Sequence, residues 1–232
     1  MLKKRDLPAC ASIPNIKFDI NRMKEELTYI GDKWQNIYDA NPGITKLHDQ
    51  SFLAQIYSTL HEIPLMSMSP EDMKKAEDFE IEDLGKSKTE RVRNKKAKGA
   101  NLPPTANEML WDYPLNAYKG SYFEHAIKNN FKAEVCRARI HLLEPGKDIS
   151  PHIDYDPSYG VRCICPISGT EGTTNYFWYN GEKQEYNLPA DGSVYFLNTG
   201  FKHSVENRGD ENRIALVWTL KSQEDIECLA MK

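Results

Sequence analysis

The stretch EVCRARIHLLEPGKDISPHIDYDPSYGVRCICPI, residues 134–167, decides the fold, because it joins three β-like runs through short turn signals. Glu144-Pro145-Gly146-Lys147 separates the first two runs, and Asp156-Pro157 lies between the second and the third. The same alternation of β-like runs and turn residues continues to residue 220, and Asn180-Gly181 is typical of a β-hairpin turn. In all, eight β-like runs lie near 134–143, 149–155, 159–168, 173–179, 183–188, 193–198, 203–207 and 212–220. Eight short, closely spaced strands with tight turns predict a double-stranded β-helix, or jelly roll.

Helical patterns flank this region. Asp19 can cap a helix that ends at Gly31, and Ser121-x-x-Glu124 is a capping box that opens another helix just before the first strand. A further helix is expected after Asp49. We therefore predict a mainly β fold with flanking helices, in which an N-terminal helical cover lies over one sheet of an eight-stranded core.

The length of 232 residues suits a single domain with one packed core. Within it we distinguish a helical N-terminal part (15–65), a charged helical and loop insertion (66–120), and a helix plus jelly-roll core (121–221). The insertion segregates its charges, with seven acids against two lysines at 71–85 and seven bases against one acid at 86–98. A run of this kind is typical of a solvated surface segment, although its basic half could also bind phosphates.

Composition excludes several classes of protein. Hydrophobic residues make up 40% and charged residues 28% of the chain, which is typical of a globular protein. The longest apolar run, 214–218, has five residues, so we expect no membrane span. The net charge of −4 makes nucleic acid an unlikely partner. Five cysteines without a framework pattern and an N-terminus without an apolar leader predict a cytoplasmic protein. The oligomeric state is left open.

One group of residues has the side chains and the spacing of a metal site. His152-Ile153-Asp154 lies at the end of the second predicted strand, where alternation places both side chains on one face of a sheet. His203 follows 49 residues after Asp154, on a later strand that can return beside it. Two imidazoles and one carboxylate form the facial triad that suits Fe(II) and leaves coordination positions open. His152, Asp154 and His203 are therefore the predicted metal ligands and catalytic residues.

A site that uses a 2-oxo acid and O₂ also needs a fixed cation for the far carboxylate of 2-oxoglutarate. Arg213 begins the last predicted strand, ten residues after His203. The planar fork of an arginine suits a carboxylate in a dry pocket better than lysine does. We predict that Arg213 binds the cosubstrate.

The segments ARIHLLEPGKDISPHID (138–154), YGVRCICPI (159–167) and DGSVYFLNTGFKHSVENRGDENRIALVW (191–218) resemble the Fe(II)/2-oxoglutarate-dependent oxygenases, in the branch of aspartyl/asparaginyl β-hydroxylases and free-proline hydroxylases. The resemblance covers about 100 residues. It implies a dioxygenase that uses Fe(II), 2-oxoglutarate and O₂ to hydroxylate an amino acid, free or within a peptide or protein. It also implies that Arg162 and His141 lie near the cosubstrate.

Substrate contacts are less closely defined. Arg137 or Arg139 could pair with a substrate carboxylate, and Arg139 could equally be exposed to solvent. The loop that begins at Tyr155, directly after the ligands, is expected to form one side of the site's mouth, with Trp34 and Tyr38 on another.

Three other readings stay open. A cupin-like metal-dependent isomerase or small-molecule-binding jelly roll would share the strands and histidines, but would not need Arg213. Nucleic-acid demethylases of the same superfamily typically carry a second arginine six residues after the cosubstrate arginine, where this chain has Thr219. Oxidative halogenation would require the position of Asp154 to lack a carboxylate. Cys163 and Cys165 lack a second cysteine pair and are assigned to packing, while His48, His61 and His125 are assigned to surface or core positions.

Overall fold

The computed structural model describes residues 1–36, 60–78 and 107–231, and within these ranges the protein is mainly β. Three α-helices and three short 3₁₀ turns accompany thirteen strands in the described ranges. The strands are β1 (Cys10–Lys17), β2 (Gln35–Asn36), β3 (Leu60–Pro64), β4 (Met66–Ser67), β5 (Tyr113–Pro114), β6 (Val135–Leu143), β7 (Asp148–His152), β8 (Val161–Ser168), β9 (Thr173–Tyr179), β10 (Glu182–Tyr186), β11 (Ser193–Leu197), β12 (Lys202–Asn207) and β13 (Arg213–Leu220). The helices are α1 (Ile20–Ile30), α2 (Pro70–Glu77) and α3 (Tyr122–Asn130), and the 3₁₀ turns are Lys4–Asp6, Glu108–Leu110 and Glu227–Leu229.

The strands form two main antiparallel sheets. The larger has seven strands in the order β1-β11-β8-β13-β6-β3-β2, and the smaller has four in the order β10-β9-β12-β7. Each of the eight runs predicted between 134 and 220 corresponds to one strand from β6 to β13. Because β6, β8, β11 and β13 lie in the larger sheet and β7, β9, β10 and β12 in the smaller, the chain crosses repeatedly between the two sheets, as in a jelly roll.

The N-terminal part is more than a helical cover. β1 pairs with β11, and β3 pairs with β6, so segments from this part extend the larger sheet at both edges. The helical N-terminal part predicted for 15–65 also contains a strand at 60–64, where backbone hydrogen bonding to an open sheet edge decides the conformation. The helix expected after Asp49 and the residues His48 and Tyr38 lie outside the described residues.

The predicted helix starts are confirmed. The Asp19 side chain accepts hydrogen bonds from the backbone N–H groups of Asn21 and Arg22 at the start of α1, which Gly31 ends at a φ of 70°. Ser121 caps α3 by accepting from the N–H of Glu124. Asn107 caps the 3₁₀ turn at 108–110 by accepting a hydrogen bond from the N–H of Met109. The side chain of Glu108 takes no part in this cap.

The larger sheet is buried on both faces. On its outer face, Phe18, Phe131 and Trp218 pack together, with ring centroids 5.5–6.5 Å apart, beneath α1 and α3. On its inner face, residues such as Ile164 and Val217 pack against Phe177 of the smaller sheet. Burial on both faces explains why β8 and β13 read as nearly continuous apolar runs.

A bulge in β6 changes the simple alternation. Arg137 has a φ of 54°, and the pairing of β6 with β13 shifts register at this point. Cys136 consequently contacts Met109, whereas Ala138 and Ile140 lie in the outer core. In the described ranges, none of the helices is long and apolar enough to cross a membrane.

Candidate metal centre

Three of the predicted residues converge at one edge of the smaller sheet. His152 at the end of β7 lies directly opposite His203 of β12 in the strand register, and their ring centroids are 4.2 Å apart. Asp154 follows two residues after β7, with its carboxylate oxygens 3.5 Å from His152 Nε2 and 3.9 Å from His203 Nε2. One ligand atom from each of the three residues lies within 4.8 Å of the other two. The convergence predicted from spacing is therefore present.

The backbone orients both imidazoles. His152 Nδ1 donates to the carbonyl of Ser150 at 2.7 Å, and His203 Nδ1 donates to the carbonyl of Phe201 at 3.1 Å. Because a carbonyl can only accept, each Nδ1 carries a proton, and Nε2 is the ring nitrogen that faces the carboxylate. Phe177 stacks on the ring of His203 at 5.7 Å and limits its rotation.

The protonation states fit a metal site. Burial lowers the pKa of His203 to about 4, so its imidazole is neutral at pH 7. Burial raises the pKa of Asp154, but the two histidines and Arg162 outweigh it and lower that pKa to about 2. Two imidazoles and an ionised carboxylate are the donor set that a divalent first-row metal takes, and the residues therefore fit Fe(II).

Arg162 lies next to this cluster, but it is already paired. Its Nη2 donates to both carboxylate oxygens of Glu108 at 2.9 and 3.0 Å and to the hydroxyl of Tyr155 at 2.8 Å. The same Nη2 lies 3.7 Å from Asp154 Oδ2. The hydroxyl of Tyr155 donates to Glu108 Oε2 at 2.9 Å, and Thr219 Oγ1 donates to that oxygen at 3.0 Å. Tyr155 therefore turns its hydroxyl into a buried network rather than towards the mouth of the site.

A second buried cluster surrounds Glu62, which β3 places opposite His141. Glu62 is completely buried, and its carboxylate lies within 3.6–3.7 Å of Arg137, Arg139 and His141. Arg139 Nε donates to His141 Nε2 at 2.8 Å, and Arg139 Nη1 donates to the carbonyl of Arg137 at 2.7 Å. Arg139 is 6% exposed, so the expectation that it could face solvent was wrong, because Glu62 compensates its charge inside the protein.

Arg213 differs from the other buried arginines. It is 4% exposed, at the start of β13, and it has no ion pair or hydrogen bond within the part of the chain that the structure describes. Burial lowers its pKa to about 10. In the register of β13 with β6, Arg213 lies opposite Leu143, two residues from His141. A buried guanidinium without a carboxylate is arranged to receive an anion.

Sequence reasoning missed Glu62 and Glu108. Glu108 has the spacing of a capping box with Thr105, and that local pattern concealed its contact with Arg162. Glu62 stands in a short run, LHEIP, that does not differ from a surface strand. The contacts of neither residue can be inferred from the sequence, because they form only when distant strands and turns come together.

Trp34, expected at the mouth, is partly buried against the outer core.

Comparisons with known proteins bear on residues 121–222, which match the family model of aspartyl/asparaginyl beta-hydroxylase. No curated protein matches the sequence.

Solved structures that match this chain include an oxidoreductase of the 2OG-Fe(II) oxygenase family from Burkholderia pseudomallei, at 15% identity and a TM-score of 0.47, with 92% of this chain and 84% of that chain covered. A predicted oxalate decarboxylase from Thermotoga maritima has 20% identity and a TM-score of 0.29, with 43% of this chain and 74% of that chain covered. A cupin domain from Bordetella pertussis has 15% identity and a TM-score of 0.30, with 40% and 88% covered.

The family match spans the three strands that carry His152, His203 and Arg213. The resemblance predicted from the sequence is therefore confirmed over this part of the chain, where residues 121–222 match the family model of aspartyl/asparaginyl beta-hydroxylase.

Proposed function

We propose that the protein is an Fe(II)- and 2-oxoglutarate-dependent dioxygenase that hydroxylates an amino acid, free or within a peptide. The observation that carries the proposal is the combination of the His152, Asp154 and His203 cluster with the buried Arg213, which has no ion pair or hydrogen bond among the described residues. The reaction balances as substrate C–H plus O₂ and 2-oxoglutarate giving substrate C–OH, succinate and CO₂. The strands β6–β13, four in each main sheet, would be the eight-stranded core of a single domain that carries this activity.

In this proposal, His152 Nε2, His203 Nε2 and one oxygen of Asp154 hold the metal. Fe(II) in such a site supplies the oxygen-activating chemistry of the superfamily. The protein's part is to present three donors on one side and to leave the other side open. The carbonyls of Ser150 and Phe201 keep both rings in the tautomer that can bind metal.

Arg213 would bind the far carboxylate of 2-oxoglutarate. Its burial and its lack of an acidic partner in the described residues support this role, since the anion would compensate the charge. Arg213→Ala removes a charge-assisted contact, and 2-oxoglutarate affinity should fall by roughly 10- to 100-fold. Arg213→Lys keeps the charge without the fork and should fall between wild type and alanine.

Arg162 and His141 remain our candidates for the cosubstrate region, and Arg139 and Tyr155 for the substrate. The contacts of three of them limit these roles. Arg162 and Tyr155 are bonded to Glu108, and Arg139 is bonded to His141. Each can reach a ligand with those atoms only by exchanging a bond that it already makes.

The test is succinate formation by purified protein loaded with Fe(II) under anaerobic conditions and then supplied with O₂, 2-oxoglutarate and a panel of amino acids and peptides. We expect succinate only when both Fe(II) and 2-oxoglutarate are present, with stimulation by one class of amino acid or peptide. His203→Ala should abolish it. His125→Ala is the matched control, because His125 is exposed on α3 and its side chain hydrogen-bonds only to Asn129 within the described ranges.

Failure of the iron-loaded wild type to bind 2-oxoglutarate would refute the proposal and would favour the cupin-like alternative. Stimulation by oligonucleotides alone would refute the amino acid as substrate.

A further inference from the structure

Glu108 lies outside the family-matched residues, yet it contacts the metal centre's neighbours. It begins the 3₁₀ turn Glu108–Leu110, before the matched residues 121–222. Its side chain is 22% exposed, and it makes four short contacts, to Arg162, Tyr155 and Thr219. The charged insertion thus supplies a side chain to the interior of the jelly roll.

Arg162 lies between two carboxylates, and the distances show which one holds it. Nη2 is 2.9 Å from Glu108 Oε1 and 3.0 Å from Glu108 Oε2, but 3.7 Å from Asp154 Oδ2. Only the contacts with Glu108 are hydrogen bonds by length. Asp154 therefore keeps its lone pairs for another cation.

The remaining contacts keep Glu108 in place. Glu108 Oε2 accepts from Tyr155, the residue that directly follows Asp154, and from Thr219 on β13. Arg162 Nε also donates to the Tyr155 hydroxyl at 3.1 Å. These bonds hold the carboxylate of Glu108 at hydrogen-bond distance from Arg162 Nη2, closer to that nitrogen than Asp154 is.

We propose that Glu108 is a positioning residue that holds Arg162 away from Asp154 and so keeps this carboxylate available to the metal. The inference rests on the proposed metal centre. Without the negative charge of Glu108, the acid nearest to Arg162 in the described residues is Asp154, and the guanidinium moves to it. That shift both occupies a ligand oxygen and brings a positive charge closer to the metal, so the two effects weaken binding together.

The experiment measures the dissociation constant of Mn(II), without cosubstrate, by titration calorimetry. In Glu108→Gln it should rise by about 10- to 100-fold, the range typical of a partner that orients a ligand. In the double variant Glu108→Gln/Arg162→Met it should return towards the wild-type value, because the competing cation is gone. A role in fold stability alone would not produce this rescue.

Two further variants sharpen the comparison. Asp112→Asn removes a carboxylate from the same segment, where it pairs with Lys221 at 2.6 Å, and should leave Mn(II) affinity unchanged. Glu108→Asp keeps the charge on a shorter side chain and should give an intermediate affinity. If Glu108→Gln does not fold, the aspartate variant with and without Arg162→Met carries the same test.

Wild-type affinity in folded Glu108→Gln, or a double variant as weak as the single one, would overturn the inference while leaving the metal centre intact. Absence of Mn(II) binding by wild type would instead overturn the metal centre, and this inference with it.

Discussion

Replacing Arg213 by methionine should stabilise the ligand-free protein and weaken the stabilisation that 2-oxoglutarate gives it. The guanidinium is buried, without a partner in the described part of the chain, and burial lowers its pKa to about 10 from an ordinary value above 12. A decrease of more than two pH units corresponds to a cost of about 3 kcal/mol for keeping the charge buried. The cost is present at every pH below about 10 and therefore in full at pH 7.

Methionine fills the space of the side-chain stem without a charge, so the free energy of unfolding should rise by up to about 3 kcal/mol. In a protein of this size that corresponds to a rise in Tm of roughly 6 to 12 °C. Wild type should recover a similar amount when 2-oxoglutarate binds, about 2.7 kcal/mol at a hundred times Kd. With an affinity 10- to 100-fold lower, the variant should recover only about 1.4 to 0.4 kcal/mol at the same concentration.

The assay is urea and thermal unfolding of Mn(II)-loaded protein with and without 2-oxoglutarate. Arg208→Met serves as the control, because Arg208 is an exposed arginine that pairs with Glu206. A ligand-free Arg213→Met protein that is less stable than wild type, or one that 2-oxoglutarate stabilises as much as wild type, would refute the reasoning.

Three further outcomes are expected. His203→Ala should lose bound iron by metal analysis whereas His125→Ala retains it, since two donors hold Fe(II) poorly at neutral pH; equal iron in both would contradict the ligand assignment. Burial raises the pKa of Glu62 but the neighbouring cations lower it to about 2, so its contribution is present above about pH 4.5 and is lost as the pH falls towards 2. Glu62→Gln should therefore reduce the free energy of unfolding by about 3 kcal/mol at pH 7, and urea midpoints should show a smaller difference at pH 3; a constant difference would argue against it. Gly192→Ala should lower Tm measurably, because Gly192 has a φ of 85° and an added Cβ would meet the carbonyl of Phe18; an unchanged Tm would mean that the turn relaxes freely.

Local sequence pattern was enough to predict the strands of the core and the cluster of His152, Asp154 and His203. The runs near 134–220 become β6–β13, because alternation and turn residues act over a few neighbouring positions. His152 and Asp154 are two residues apart and needed only the position of their strand. Arg213 was identified by its offset from His203, and its burial follows from its place at the start of a central strand.

Tertiary structure alone decided the environment of these residues. Glu62 and Glu108 come from segments far from the core strands in sequence, and their charges matter only because folding places them within 4 Å of buried arginines. The pairing of β3 with β6 brings Glu62 opposite His141, a contact between residues that no local period relates. Sequence determines what a residue can do through its chemistry and its spacing from near neighbours. Which charge compensates which in a buried site depends on distances between strands, and these exist only once the chain has folded.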